Sequence, residues 1–278
     1  MEDSEIAELA EQTASMMRRV FADDMIETAV AALRSQGMYR PENLYKTTVE
    51  LVTTESHLAT LRKLWTTLDD RFPKDESEHI KCEFSAKYLP TLADKRRDPT
   101  VNRITAQAIS VSIGRAFETE IFPLFLLSSS ARGLVAQQIR LMVDFPIGVQ
   151  RGDVGLMSRT LILLLLGQGC DEVDLKLKRA IIRLLERWVK EYKGHPAAEN
   201  CASCLWVMTG SREPQPDLIT DVKEVLAFRA NSRGCWQCHV VRKPLLKCAR
   251  CKYALYCCQE HQKKDWKLHK PWCFSSNF

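Results

Sequence analysis

The sequence predicts a mainly α-helical protein that ends in a small, cysteine-rich domain. Apolar residues recur every three or four positions over residues 1–230, as amphipathic helices require. No stretch of that region alternates apolar and polar residues convincingly enough for a sheet. The cysteines, by contrast, concentrate in residues 231–278, which contain seven of the eleven. We therefore predict an all-α domain over residues 1–230 and a separate domain over residues 231–278.

The helical region divides into about nine or ten helices of 10–20 residues, separated by breaks rich in Gly, Pro and Asp. Helices joined by short breaks form either a bundle or a solenoid of stacked helix pairs, such as an armadillo-like array. No repeat of fixed length decides between the two. The predicted linker to the second domain is 231–234. The clearest apolar stripes are Ile6, Leu9, Met16, Met17 and Val20; Leu58, Leu61, Leu64, Trp65 and Leu68; Ile181, Leu184, Leu185, Trp188 and Tyr192; and Leu218, Val222, Val225 and Leu226.

Composition and charge exclude several classes of protein. Of the 278 residues, 45% are hydrophobic and 27% charged, which is not the composition of a disordered chain. The longest aliphatic run, Leu161 to Leu166, is far shorter than the roughly 20 residues that span a bilayer. The net charge of +5 is uneven, because residues 231–278 contain ten Lys/Arg and two Asp/Glu, a net of +8, which leaves −3 for residues 1–230. Such a division predicts two domains with different partners.

The compartment follows from the N-terminus and the cysteines. The segment MEDSEIAELAEQ is acidic and lacks the basic, then apolar, then small-residue order of a secretory signal. We therefore expect an intracellular protein, in the cytoplasm, the nucleus or both, with no membrane partner. In a reducing compartment, clustered cysteines favour metal binding over disulfides.

Eight Cys and His residues of the second domain form four regularly spaced pairs. Two pairs are CxxC, which lets two thiolates from one tight turn reach the same ion. In the other two pairs the residues are four apart, so both side chains share one face of a helix. Four pairs supply two closed tetrahedral zinc sites without the open position that a catalytic zinc needs. The pairs are Cys235/Cys238, Cys248/Cys251, Cys257/His261 and His269/Cys273.

The same segment resembles the MYND-type zinc finger across residues 235–273. The similarity lies in CWQC, CARC, the LYC step and the final QKKDWKLHKPWC. The sequence departs from the family at His261, where most members have cysteine, although imidazole is also a zinc ligand. The resemblance implies two interleaved structural zinc sites per chain, which would fold a segment too short to build its own core. The implied ligand sets are Cys235, Cys238, Cys257 and His261 for one ion, and Cys248, Cys251, His269 and Cys273 for the other.

Three further cysteines are predicted to bind no metal. Cys258 stands beside Cys257 but fits neither the family pattern nor the spacing of the pairs. Cys201 and Cys204 form another CxxC, in the apolar segment ENCASCLWVM. No second pair lies near them, so we interpret them as core cysteines.

The resemblance also implies a function in protein interaction. MYND fingers bind short proline-containing peptides through a strand edge near the second CxxC and residues on the following helix. By position, this implies the strand from Tyr253 to Tyr256, with Gln262 and Trp266 lining the groove. A peptide backbone would pair with the strand edge while the indole packs against proline rings; the alternative for Trp266 is core packing. We therefore predict a non-enzymatic adaptor that binds proline-containing segments of other proteins.

Other functions are less well supported by the sequence. The ten Lys/Arg of the second domain would attract phosphate, and a nucleic-acid-associated transcriptional regulator is the alternative, but these residues are spread out and no ββα unit is present. In one group of lysine methyltransferases a MYND finger interrupts a β-rich SET domain, whereas residues 1–230 are predicted to be helical. An adaptor in ubiquitin ligation, as for some fungal MYND proteins, is a special case of the first function.

Overall fold

The computed structural model describes residues 31–117, 119, 121–144, 151–210, 234–241, 244–252 and 254–275. Helices dominate these residues, and the strands among them are two residues long. The predicted mainly α-helical class is therefore confirmed. The first and last predicted stripes (Ile6 to Val20 and Leu218 to Leu226), residues 231–233 of the linker, and Tyr253 lie outside the described residues.

The described helices of the N-terminal region lie between residues 41 and 209. Those of at least one full turn are numbered α1 to α9, and a π-helical turn (Thr47–Leu51) and a 3₁₀ turn (Ser129–Ala131) lie between them. The helices are α1 (Pro41–Lys46), α2 (Glu55–Arg71), α3 (Lys74–Arg97), α4 (Arg103–Ala116), α5 (Phe122–Leu126), α6 (Leu134–Val143), α7 (Arg151–Gln168), α8 (Leu175–Glu191) and α9 (Pro196–Thr209).

Local sequence determines where several of these helices begin and end. The side chains of Thr54, Asn102 and Asp174 accept hydrogen bonds from the backbone N–H three residues later, which caps α2, α4 and α8. Proline occupies the first position of α9 at Pro196, where its missing N–H costs no hydrogen bond. Gly210 then ends α9 in the left-handed conformation (φ +67°).

The helices stack as pairs in two layers. In one layer α1 contacts α3, α3 contacts α6, and α6 contacts α8; in the other, α2 contacts α4, α4 contacts α7, and α7 contacts α9. The members of the pairs α3/α4, α6/α7 and α8/α9 also contact each other. Each pair thus packs mainly on its neighbours, as in a solenoid. The structure favours the solenoid-like alternative over the bundle.

The core runs between the two layers. The predicted stripe from Leu58 to Leu68 is buried at all five positions, and Ile181, Leu185, Trp188 and Tyr192 of the α8 stripe are also buried. A hydrogen bond also crosses this core: the Trp65 Nε1 donates to the Ser112 hydroxyl at 3.2 Å. None of the described helices combines the length and apolarity that crossing a bilayer requires.

The C-terminal segment (residues 234–275) contains a two-stranded antiparallel sheet and one helix. Its elements are β1 (Leu246–Lys247), β2 (Leu255–Tyr256), α10 (Gln259–His269) and a 3₁₀ turn (Lys270–Trp272). Its buried residues form a cluster separate from the core of the helical stack. The 3₁₀ turn contacts α3. The predicted boundary between residues 230 and 231 lies outside the described residues.

Candidate metal centre

Two tight turns of the same design hold the CxxC pairs. His239 donates its backbone N–H to the Cys235 carbonyl at 2.7 Å, and Lys252 donates to the Cys248 carbonyl at 3.0 Å. Both donors directly follow the second cysteine of their pair and have positive φ, +59° and +58°. Non-glycine residues rarely adopt this conformation, and neither position is marked by glycine in the sequence. Each turn brings its two thiols to the same side.

The remaining ligand candidates come from β2, α10 and the 3₁₀ turn. Cys257 follows β2 directly, and Cys258 is the N-cap residue of α10. His261 lies in the first turn of α10 and His269 is its last residue, so the two histidines lie at opposite ends of the helix. Cys273 follows the 3₁₀ turn.

The first cluster consists of Cys235, Cys238, Cys257 and His261. The Cys238 and Cys257 Sγ atoms are 3.8 Å apart. The Nδ1 atom of His261 lies 3.5 Å from the Cys235 Sγ and 3.0 Å from the Cys257 Sγ. Nδ1 is therefore the histidine atom that points into this cluster.

The second cluster consists of Cys248, Cys251, His269 and Cys273, all buried. The Cys248 and Cys273 Sγ atoms are 3.7 Å apart. The Nε2 atom of His269 lies 3.6 Å from the Cys251 Sγ. The structure therefore brings together the eight predicted ligands in the two interleaved sets that the resemblance implies, and Cys258 belongs to neither set.

The spacing within both clusters fits a tetrahedral zinc ion. With Zn–S near 2.3 Å and Zn–N near 2.0–2.1 Å, a tetrahedron places two sulfur ligands about 3.8 Å apart and sulfur and nitrogen about 3.6 Å apart. Four of the five distances given above agree with these values, and the contact between Cys257 and His261 is shorter. Two clusters of three thiols and one imidazole are thus binding sites for two Zn²⁺.

Backbone N–H groups prepare the first cysteine of each cluster for a metal. Burial raises the pKa of the Cys235 thiol, but backbone N–H groups, that of Cys257 foremost, lower it by more, to about 6. For Cys248, burial again raises the pKa, and N–H groups of the Cys248–Cys251 turn outweigh it. These N–H groups stabilise the thiolate, which is the form that binds zinc.

Aromatic rings enclose His269. The rings of Trp236, Trp266 and Tyr256 lie with centroids 5.3, 5.8 and 6.2 Å from the imidazole. The Tyr256 hydroxyl donates to a carboxylate oxygen of Asp265 at 2.7 Å, and both side chains are buried. Burial, and then this carboxylate, raise the pKa of Tyr256, so the phenol keeps its proton. This bond joins β2 to α10 and thereby positions the histidine ligands.

Comparison with known proteins agrees with this geometry. The family model "MYND finger" matches residues 235–273. Residues 235–273 form a MYND finger. The MYND finger is a zinc-binding protein-interaction module, and its two clusters account for two zinc ions per chain.

Several known proteins are similar to a short part of the chain. Human Egl nine homolog 1 is 56% identical over 32 residues, which are 12% of this chain and 8% of that protein. Human N-lysine methyltransferase SMYD2 is 49% identical over 71 residues, 23% of this chain and 16% of that protein, and zebrafish (Danio rerio) N-lysine methyltransferase SMYD2-B is 49% identical over 49 residues, 18% and 11%. The chain thus spans less than a fifth of the length of these relatives. No solved structure matches the chain significantly.

The structure separates the residues predicted to line a peptide groove. Trp266 is 38% exposed and Gln262 is half-buried, so both are accessible on α10. Tyr256 is fully buried: its ring packs inside the MYND finger and its hydroxyl donates to Asp265, so a peptide could contact this residue only through its backbone. Tyr253 lies outside the described residues. The peptide-binding role of Gln262 and Trp266, and of the strand from Tyr253 to Tyr256, stays a prediction.

Sequence reasoning missed the role of Asp265. The available signal was its position: Asp265 is one of only two acidic residues in the strongly basic segment 231–278. Such an isolated carboxylate can be buried if it has a hydrogen-bond partner. The CxxC pair in α9 behaves as predicted. Cys201 and Cys204 are fully buried, and burial raises the pKa of Cys201 to about 12 and that of Cys204 well above its ordinary value.

Proposed function

We propose that the protein is a non-enzymatic adaptor whose MYND finger binds short proline-containing segments of partner proteins. The observation that supports this proposal best is the partly exposed indole of Trp266 on α10. A rigid aromatic side chain of this kind is the usual anchor of a peptide interface. The relatives named above match less than a quarter of this chain, so their activities are not the basis of the proposal.

The hydrogen bonds of the small sheet indicate which strand edge is available to a peptide. The register pairs Leu246 with Tyr256 and Lys247 with Leu255, and Cys248 donates to the Ala254 carbonyl at 2.8 Å. In such an antiparallel ladder, the backbone groups of Lys247 point away from β2. No further strand pairs with β1 among the residues that the structure describes. The outer edge of β1 therefore offers backbone groups with which an added strand could pair.

The other side of the sheet is already used. The backbone N–H of Trp236 donates to the Leu255 carbonyl at 2.9 Å. A peptide would therefore pair with β1 rather than with the predicted strand from Tyr253 to Tyr256. The exposed side chain of Leu246, 44% accessible on β1, adds apolar surface beside that edge.

The zinc sites favour binding over catalysis. Each cluster offers four protein ligands, which complete a tetrahedral ion and leave no position for a substrate. The cysteine-rich ligand sets also favour a reducing compartment, in the cytoplasm or the nucleus. The zinc ions would hold the fold of the finger, and its surface would bind the partner.

The experiment that tests the proposal compares two substitutions on α10. Full-length protein is used to select peptides from a displayed library of short proline-containing sequences, and the affinity of the selected peptide is measured by calorimetry. Trp266→Ala is expected to weaken binding by about 30-fold, the loss of a single hot-spot anchor, with zinc content still at two ions per chain. Leu268→Ala, which removes a 73% exposed side chain from the same helix, is the matched control.

Two outcomes would contradict the proposal. One is a Trp266→Ala protein that folds, holds two zinc ions and binds the peptide as tightly as the unmodified protein. The other is simultaneous loss of zinc and fold, which would mean that the indole is a core residue. Recovery of nucleic acid instead of any peptide, with release at moderate salt, would support the alternative function.

A further inference from the structure

Helix α8 presents a continuous row of positive charge to solvent. Lys176, Arg179, Arg183, Arg187 and Lys190 recur at steps of three and four residues, so their side chains share one face of the helix. All five are exposed. We call this row the α8 basic stripe. It extends over 15 residues, from Lys176 to Lys190, and its ends are about 21 Å apart at a rise of 1.5 Å per residue.

The opposite face of α8 fixes the stripe rigidly. Ile181, Leu185 and Trp188 are buried against α6 and α9. The helix therefore cannot rotate or leave the stack without exposing its core face, and the five cations are held in line. A preorganised row of this kind costs less to order on binding than charges on a loop.

The charges of the stripe are not neutralised within the described part of the chain. None of the five forms an ion pair there, although Glu186 stands three residues after Arg183 and four before Lys190. Helix α8 contains six Lys/Arg and two Glu, a net charge of +4, whereas residues 1–230 as a whole have a net charge of −3. The stripe is thus a local concentration of positive charge on an otherwise acidic domain.

The neighbours of the stripe restrict the shape of a ligand. Exposed carboxylates border it, at Glu186 and Glu191 along the helix and at Asp171, Glu172 and Asp174 before its first turn. A nucleic-acid duplex is about as wide as the stripe is long and would bring phosphates against these carboxylates. The aromatic residues in and directly after α8, Trp188 and Tyr192, are buried and cannot stack on bases.

We propose that the α8 basic stripe is a second protein-interaction surface, which binds an acidic segment of a partner protein. Carboxylates at every third or fourth residue of a helix, or along an extended strand, would form a line as narrow as the stripe itself and avoid its acidic borders. The surface lies on the helical stack and does not depend on the proposed function of the MYND finger. It gives the predicted adaptor two sites of different chemistry, one for proline-containing and one for acidic sequences.

The test uses full-length protein and a fluorescent poly-L-glutamate peptide of about 20 residues, long enough to cover the stripe. Binding is followed by anisotropy, and contact sites are mapped by carbodiimide cross-linking of glutamate to lysine and mass spectrometry. We expect cross-links at Lys176 and Lys190, the two ends of the stripe. Exchanging Arg179, Arg183 and Arg187 for Glu should weaken binding about tenfold or more at low salt, and salt should weaken binding to the unmodified protein.

The matched control makes the same change of charge in the MYND finger. Lys263, Lys264 and Lys267 are exposed on α10, and their exchange for Glu should leave the cross-links at Lys176 and Lys190 unchanged. A neutral variant with Gln at positions 179, 183 and 187 should give an intermediate affinity, and circular dichroism confirms that each variant folds.

The proposal is overturned if cross-links at Lys176 and Lys190 are absent, or if the α8 and finger variants lose affinity equally. It is also overturned if a single-stranded oligonucleotide of matched charge binds more tightly than poly-L-glutamate through the same three arginines. Peptide binding by the MYND finger is measured separately with the selected proline-containing peptide. A negative result at one site therefore does not change the interpretation of the binding data for the other site.

Discussion

The phenyl ring of Phe274 lies edge-on to the imidazole of His79, with ring centroids 5.0 Å apart and an interplanar angle of 72°. Phe274 follows Cys273, the last ligand of the second zinc cluster, and His79 lies near the start of α3. The 3₁₀ turn before Cys273 contacts the same helix. The MYND finger is therefore attached to the helical stack next to one of its zinc sites. An aromatic pair of this geometry contributes about 0.5–1.5 kcal/mol.

Replacing Phe274 by Ala should loosen this attachment without emptying the zinc sites. We expect two zinc ions per chain and faster amide exchange in the first three turns of α3 and in the 3₁₀ turn, while α8 and α9 keep their protection. Hydrogen–deuterium exchange with mass spectrometry measures this. Ser275→Ala, an exposed neighbour, is the control, and equal exchange in both variants would show that the ring contact holds nothing in place.

Chelation of zinc should unfold the MYND finger and leave most of the helical stack intact. The reason is that the two regions have separate hydrophobic clusters, and that zinc supplies much of the folding free energy of a small finger. Circular dichroism during titration with a chelator should show the loss of a minor part of the helical signal. Loss of the entire signal in one transition would mean that the predicted domains, 1–230 and 231–278, fold as one unit.

Replacement of the two adjacent cysteines before α10 should have different effects on the zinc content. Cys257→Ser removes a thiolate from the first cluster and is expected to lower the zinc content from two ions to one. Cys258→Ser should keep both ions, because Cys258 lies outside both clusters. Elemental analysis of freshly reduced protein distinguishes the two. Equal zinc loss from both variants would contradict the ligand assignment.

The sequence predicted those features that depend on local spacing. The stripe from Leu58 to Leu68 marked α2 because a helix repeats every 3.6 residues, and the CxxC and four-residue pairs marked the zinc clusters. The stacking of helix pairs was not predictable, since no fixed repeat links α3 to α6 or α4 to α7. The hydrogen bond between Tyr256 and Asp265 was not predictable either, because the two residues lie on different elements, β2 and α10, which only the folded finger brings together.

The α8 basic stripe shows a further limit of the sequence reasoning. The apolar stripe through Ile181, Leu185 and Trp188 identified the helix, and the same period places Arg179, Arg183 and Arg187 on the opposite face. The net charge of −3 over residues 1–230 concealed this row, because a sum over a domain does not report where the charges lie. Only the structure shows that these side chains are exposed and that they form no ion pair with the described residues.

Cys201 and Cys204 should resist alkylation in the folded protein. Both thiols are buried, and their raised pKa keeps them protonated at pH 8, whereas the thiolate is the reactive form. The partly exposed Cys82 and Cys170 serve as internal controls. Iodoacetamide labelling followed by mass spectrometry should modify these two first, and Cys201 and Cys204 only after denaturation. Early labelling of Cys201 or Cys204 would indicate a reactive CxxC and contradict their interpretation as core residues.

Asp69 should be a sensitive ion-pair position in the helical stack. Its carboxylate, at the end of α2, forms ion pairs with Lys81 of α3 and, at 2.7 Å, with Arg115 of α4, and the Lys81 side chain is only 7% exposed. Asp69→Asn would remove the carboxylate that pairs with both the buried ammonium of Lys81 and the guanidinium of Arg115, and we expect a loss of about 3 kcal/mol in the free energy of unfolding.

Its neighbour Asp70 is exposed and provides the control, since Asp70→Asn should change the free energy of unfolding by about 0.5 kcal/mol or less. Adding Lys81→Met to Asp69→Asn replaces the buried ammonium by an apolar side chain and should recover part of the loss. Urea unfolding followed by circular dichroism measures all three. If Asp69→Asn is as mild as Asp70→Asn, the ion pairs contribute nothing to stability, and the apolar contacts of α2, α3 and α4 alone hold this end of the solenoid together.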